Sequence, residues 1–220
     1  CGSRRIMEAY IVKIAPAAEG EELSLTIEIT DEKGLRRENH CIAAQYFRET
    51  TLPSHIDAPY AADAELLSQI RYLSLCTAAI RAGLRLLEFS FNTKKNLRGK
   101  LIRKGFPPEA ADEAVAFFSE NGYIDEAGQA EMLAWELAEK KKYGKNRIKT
   151  ELFSKGFESE VIRDALENAE IDFPQYCAER IEMMGGREIF AEPKSKQKAV
   201  AALLRYGYSY DDVREALRRR

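Results

Sequence analysis

Three hexapeptides, Leu101-Ile-Arg-Lys-Gly-Phe106, Leu152-Phe-Ser-Lys-Gly-Phe157 and Leu203-Leu-Arg-Tyr-Gly-Tyr208, follow one another at a constant offset of 51 residues without a gap. The same offset aligns Leu97, Ile148 and Ala199, then Ala111, Ile162 and Val213, then Ala114, Ala165 and Ala216, then Val115, Leu166 and Leu217. These apolar positions recur at helical spacing and read as the core faces of two helices per unit. A repeat of this length is one small supersecondary unit that buries little alone, so neighbouring units are expected to stack in an elongated, curved array.

Each unit carries its own punctuation. Gly105, Gly156 and Gly207 fall where a helix ends, a place where a left-handed residue is least strained as glycine. Phe106, Phe157 and Tyr208 follow them, each able to pack back on the core. Thr93, Gly144 and Ser195 share one repeat position and are all residue types suited to an N-cap, with Tyr143 beside Gly144 in the second unit. Upstream of each cap lies a further helical stretch: Ala64 to Phe89, Glu126 to Lys142, and Pro174 to about Met184. The spacing therefore predicts three-helix units over 62–121, 122–170 and 171–220.

Residues 1–61 lie outside the repeat. Tyr10, Val12 and Ile14 alternate, as do Leu23, Leu25, Ile27 and Ile29, and Asp31-Glu32-Lys33-Gly34 supplies turn chemistry before Leu35 to Ile42. The expectation is a small antiparallel β module, its second and third strands a hairpin, followed by a connection from Thr50 to Tyr60. The fold class is mainly α: three tandem three-helix repeats with this β module in front. A chain shortened to about residue 62 is expected to stay folded and helical.

Several function classes lose support. The longest charge-free stretch in the hydrophobic middle, Tyr72 to Ile80, has nine residues against the roughly 20 that cross a bilayer, so no membrane partner is expected. No apolar signal-type region follows the N-terminus, Met7 reads as a native start, and Cys1, Cys41, Cys76 and Cys177 are scattered as in a reducing, cytoplasmic setting. His40 and His55 are the only histidines, and with Cys41 they match no usual metal template; a surface or strand-filling role is expected. No phosphate-binding, dinucleotide or zinc-protease motif is present, so neither an enzyme nor a cofactor is expected. Glu120, Asp125 and Glu126 read as capping or solvated groups, and Trp135, spaced with Leu133 and Leu137, as packing.

Net charge is only −2, from 34 Lys and Arg against 36 Asp and Glu, but its placement follows the repeat. The stretch 93–105 carries Lys94, Lys95, Arg98, Lys100, Arg103 and Lys104 with no acid; 139–155 carries seven basic groups, among them Lys142, Lys145, Arg147 and Lys149, against two acids. Lys194, Lys196, Lys198 and Arg205 continue the pattern, while 107–120 and 156–172 are acidic. Solubility explains any single lysine. Lys94, Lys145 and Lys196, however, share the position after the expected cap, where a cation opposes the helix dipole at a cost of about a few tenths of a kcal/mol. A bound phosphate or carboxylate would offset that cost.

The stretch Ala82-Gly-Leu-Arg-Leu-Leu87, followed by Thr93-x-x-x-Leu97 and Leu101-x-x-Lys-Gly-Phe106, resembles the first unit of the RecX regulatory proteins of bacteria. Tyr123-Ile-Asp125, Lys142-Tyr-Gly-x-x-Arg-Ile148 and Leu152-x-x-Lys-Gly-Phe157 resemble their second unit. The likeness runs from about residue 79 to 217; Asn96 stands where the family commonly has an acid. It implies tandem three-helix repeats, no catalytic residues, and binding to the RecA recombinase filament with inhibition of its ATPase and strand exchange, modulating recombinational repair and the SOS response. Lys94, Lys95, Arg98, Lys142, Lys145, Arg147, Lys149, Lys196 and Lys198 are the candidate partner contacts. The alternative is a module binding single- or double-stranded DNA directly, with basic helices on phosphates.

Overall fold

The computed structural model describes residues 8–17, 22–48, 50–53 and 55–219. Cys1 and Met7 lie outside the described residues. A four-stranded antiparallel sheet, in the order β3-β2-β1-β4, is built from β1 (Glu8–Pro16), β2 (Glu22–Asp31), β3 (Gly34–Ala43) and the two-residue β4 (Tyr60–Ala61). The rest is helical: α1 (Ala44–Phe47), α2 (Ala64–Phe89), α3 (Lys94–Arg103), α4 (Pro108–Glu120), α5 (Glu126–Lys141), α6 (Lys145–Ser154), α7 (Ser159–Asn168), α8 (Phe173–Met183), α9 (Pro193–Arg205) and α10 (Tyr210–Arg218), with a 3-10 turn at Arg187–Phe190.

The β2-β3 hairpin closes as its sequence requires. Gly34 has φ 110°, and the Asp31 carboxylate accepts from the Lys33 amide at 2.8 Å. Leu25, Ile27 and Ile29 point to one fully buried face, in keeping with their alternation. The first strand departs from its pattern: the register slips between Ile11 and Lys13, a bulge at Val12 that puts Ala9 and Ile11 in the core and leaves Tyr10 exposed. The apolar alternation Tyr10, Val12, Ile14 is therefore not the buried face.

The chain divides into two compact units. The first holds the described residues of 1–91 and 97–121, the second those of 92–96 and 122–220. Within the first, α2 starts at a capped Asp63, whose carboxylate accepts from the Leu66 amide at 2.8 Å, and lays Leu67, Ile70, Leu73, Cys76, Ala79 and Ile80 into the core. Polar pins hold this helix to the sheet. Thr77 Oγ1 accepts from the Ala43 amide at 2.9 Å, the Arg71 guanidinium donates twice to the Glu38 carboxylate at 2.9 and 3.0 Å, and Arg81 pairs with Glu22. The sheet and α2 thus share one core, against the expectation that the helices stand without the strands. On its other side α2 meets α4 at Gly83, where an added Cβ would lie 2.3 Å from the Phe118 ring.

In the second unit a stripe of small residues on α5, Ala130, Ala134 and Ala138, packs with Ile148 and Leu152 of α6 and with Ile162, Ala165 and Leu166 of α7. A second cluster joins Cys177 and Ile181 of α8, Leu203 of α9, Tyr208, and Val213 and Ala216 of α10. The aligned positions Leu97, Ile148, Ala199, Leu101, Leu152 and Leu203 are all buried.

Candidate partner-binding surface

The three glycine turns have one geometry. Gly105, Gly156 and Gly207 have φ of 94°, 92° and 95°. In each the following aromatic amide donates to the carbonyl five residues back: Phe106 to Leu101 at 3.3 Å, Phe157 to Leu152 at 3.3 Å and Tyr208 to Leu203 at 3.2 Å. Two of the three turns receive a helix start. The Asn96 amide side chain donates to the Lys155 carbonyl at 2.7 Å, and a Cβ on Gly156 would lie 2.8 Å from Thr93 Oγ1. In the same relation one repeat later, the backbone amides of Gly144 and Asn146 donate to the carbonyls of Tyr206 and Gly207 at 2.9 and 3.0 Å, and a Cβ on Gly207 would lie 2.3 Å from the Arg147 nitrogen. Position 96 needs a donor here, which an acid at neutral pH is not.

The three expected caps resolve differently. Thr93 Oγ1 accepts from the Asn96 amide at 3.2 Å, as an N-cap does. Gly144 precedes α6 with no side chain to cap it; glycine stands there because a Cβ would lie 2.3 Å from the Tyr208 nitrogen. Ser195 is no cap at all. The third helix begins earlier, with Pro193 in its first turn and Glu192 as N-cap, and the Lys196 amide already donates to the Glu192 carbonyl at 2.9 Å. Only Lys94 and Lys145 therefore open a helix; Lys196 does not oppose a helix start as its repeat position implies.

The anion invited by the α3 start is supplied by the chain itself. Glu126 Oε1 accepts from the Lys94 amide at 2.7 Å, while neighbouring Asp125 caps α5 by accepting from the Gly128 amide at 3.0 Å. Both acids are capping groups, as their junction position implies.

The nine candidate cations fall into two sets. Three are committed. Arg98 forms two hydrogen bonds to the Asp112 carboxylate at 2.5 and 3.0 Å and holds that carboxyl below its usual range. Arg147 pairs with Glu151 at 2.8 Å with its guanidinium 5.5 Å from the Tyr143 ring. Lys142, left-handed at φ 52°, ends α5 as a strut: its side chain is only 16% exposed, Nζ lies 2.5 Å from Glu179 and 4.6 Å from the Tyr176 ring, and its carbonyl accepts from the Tyr208 hydroxyl at 2.8 Å. The ammonium lowers the Glu179 pKa, and burial raises that of Tyr208. The other six, Lys94, Lys95, Lys145, Lys149, Lys196 and Lys198, have no ion pair among the described residues. Lys145 is half-buried and the other five are exposed. Lys95 lies 6.0 Å over the 62%-exposed Phe153 ring, and Lys149 lines a cleft of about 380 Å³ with Phe153, Thr150, Ser159, Ile162 and Arg163.

Sequence reasoning missed Glu126 as the partner of the Lys94 amide, and it misplaced Trp135. The indole is 48% exposed and Met132 beside it 66%, because the buried stripe of α5 runs through Ala130, Ala134 and Ala138, about 100° away. That stripe was visible as alanines four apart. His40 lies in β3 with Nε2 3.2 Å from Glu38, and His55 lies 3.0 Å from Asp57.

Family models described as the first and second three-helix domains of RecX match residues 79–118 and 125–166. A curated regulatory protein RecX of Stenotrophomonas maltophilia is 30% identical over 139 residues, 63% of this chain and 85% of that protein. The chain belongs to the RecX family. A Halorhodospira halophila member is 31% identical over 135 residues, covering 61% and 83% of the two chains, and a Clostridium perfringens member 28% over 142 residues, covering 63% and 66%. A crystal structure of regulatory protein RecX superposes with TM-score 0.69 at 16% identity, covering 96% of this chain and all of that one. Its fold likeness therefore extends past the RecX helices into the N-terminal sheet. RecX from Lactobacillus salivarius gives TM-score 0.60 at 20% identity over 66% of this chain and 95% of its own. Among the described residues, no helix is long and apolar enough to cross a membrane.

Proposed function

We propose that this RecX protein is a non-enzymatic cytoplasmic regulator that binds the RecA recombinase filament and lowers its ATP hydrolysis and strand exchange. The observation that carries this reading is the family match over 79–118 and 125–166, the segments that contain α3 and α6 with Lys94, Lys95, Lys145 and Lys149. These lysines, with Lys196 and Lys198, are the contacts for filament carboxylates or for phosphates of its DNA, since among the described residues none of them has an ion pair. Arg98, Lys142 and Arg147 each have a carboxylate partner within the chain. Sedimentation of the protein with recombinase filaments on single-stranded DNA tests this: the account expects saturable co-sedimentation, beyond what the same DNA retains without recombinase.

A second reading, direct binding of single-stranded nucleic acid, has its own observation. Phe153 is an exposed ring flanked by Lys95 and Lys149, an aromatic platform between cations on which a base could stack. Phe153→Ala weakening retention by bare DNA about fivefold or more, with filament binding intact, would favour it.

A further inference from the structure

Four rings of the second unit carry a cation from the chain itself: Phe153 takes Lys95, Tyr176 takes Lys142, Tyr143 takes Arg147, and Tyr206 takes Arg180 at 3.7 Å. Trp135, the single tryptophan and the ring type best suited to hold a cation, carries none among the described residues. It sits with Gly128, Glu131, Met132 and Ala169 in an open groove of about 460 Å³ between α5 and the end of α7. One helical turn before and one after Trp135 stand Glu131 and Glu139, on the same side of α5. Neither has an ion pair among the described residues, whereas the other glutamate of that stretch, Glu136, is taken by Lys140 at 2.7 Å. The α7 end at Ala169 adds the negative pole of a helix.

We propose that this face of α5 docks a basic, aliphatic segment of a protein partner, an arginine or lysine side chain lying on the Trp135 indole between Glu131 and Glu139, with Met132 covering the aliphatic part. The charge selects the occupant. Two unpaired carboxylates and a helix C-terminus repel a phosphate backbone, while the exposed indole and thioether reward burial of aliphatic surface. The face is thus opposite in chemistry to the free lysines, and it deepens the regulatory reading by giving that partner a second, basic contact.

The test uses the full chain, with its single tryptophan excited selectively over its tyrosines, and a tryptophan-free amphipathic peptide of leucine and arginine. A matched leucine–glutamate peptide and an oligothymidylate serve as comparisons. The arginine peptide should shift Trp135 emission to the blue, saturably and less at high salt, and the comparison ligands should not. By anisotropy of labelled peptide, Glu131→Lys/Glu139→Lys and Trp135→Ala should each weaken binding about tenfold or more, and Trp135→Phe by only a few-fold. Equal binding of both peptides, undiminished binding by the folded double variant, or an emission shift that follows only the protein's own concentration would overturn the proposal. In recombinase ATPase assays, a wild-type protein that fails to inhibit sinks the regulatory reading alone, leaving the peptide result to decide this one. A wild type that inhibits and a double variant that inhibits equally sinks the docking surface.

Discussion

The Gly144 amide donates to the Tyr206 carbonyl at 2.9 Å, a backbone bond that joins the start of α6 to the glycine turn after α9. The Asn96 side chain makes the corresponding bond to the Lys155 carbonyl one repeat earlier. Within the second unit, both helix starts are thus seated on glycine turns.

The three glycines should therefore differ in cost although their φ angles agree. Alanine at any of them meets backbone strain of about 1–2 kcal/mol. At Gly105 nothing lies within 4 Å of the added Cβ; at Gly156 it meets side-chain atoms at 2.8–3.2 Å; at Gly207 it meets the Arg147 backbone at 2.3 Å. Urea denaturation should rank Gly207→Ala as most destabilising, then Gly156→Ala, then Gly105→Ala, the first exceeding the last by about 1–3 kcal/mol. Equal losses would remove the seating argument and leave only the turn.

Lys142 and Lys149 are separated by the same logic. Lys142→Ala removes a mostly buried lysine from its pair with the partly exposed Glu179 and from the Tyr176 ring, and should lower stability by about 1 kcal/mol, while Lys149→Ala on the open surface should change it by less than about 0.5 kcal/mol. Thermal melts of the two variants decide the point. Comparable destabilisation would mean that Lys142 is no strut.

Three carboxyls with lowered pKa values contribute to the acid limb of stability, beside Glu38 and Glu136. Hydrogen bonds from Arg98, Lys142 and Arg219 hold Asp112, Glu179 and Asp172 below their ordinary pKa values. Folding then favours the ionised form, so their contribution is complete above the unfolded value near about 4 and is lost as pH falls through the lower folded values. Asp112→Asn/Glu179→Gln/Asp172→Asn should be less stable at neutral pH and should lose less stability than wild type between about pH 5 and pH 3. A variant with the wild-type slope would place the acid sensitivity elsewhere.

Removing the sheet should not leave an independent helical protein. A chain beginning at Ala62 uncovers the α2 face that Arg71, Thr77 and Arg81 pin to the strands, so it should bind hydrophobic dye, self-associate and lose cooperative melting of α2 to α4. Within the intact chain, Ile27→Ala should cost about 2–5 kcal/mol. A monomeric, cooperatively melting truncation would contradict the shared core.

Much of this fold is legible from sequence where local signals agree. The α2 span Ala64–Phe89 and the α5 start at Glu126 match the expectation because apolar period and an aspartate cap coincide. Legibility ends where a single residue changes the phase. The bulge at Val12 turns over the face of β1 without any glycine to announce it, and Pro193 starts α9 early enough to engulf Ser195. The lysine positions are legible from the repeat, but their division is not: Glu179 and Asp112 select Lys142 and Arg98 across the fold, at distances in sequence that no local pattern records.

The central claim is that the free lysines act on the recombinase filament. Its most direct test is ATP hydrolysis by the host's own recombinase on single-stranded DNA, with increasing wild-type protein and with Lys94→Glu/Lys145→Glu/Lys196→Glu, each confirmed as folded by circular dichroism. The account predicts progressive inhibition by wild type and at least about a tenfold higher concentration of the triple variant for the same effect, with a shallower salt dependence if phosphates are the target. Hydrolysis unchanged by saturating wild type, or inhibited equally by both proteins, would contradict it.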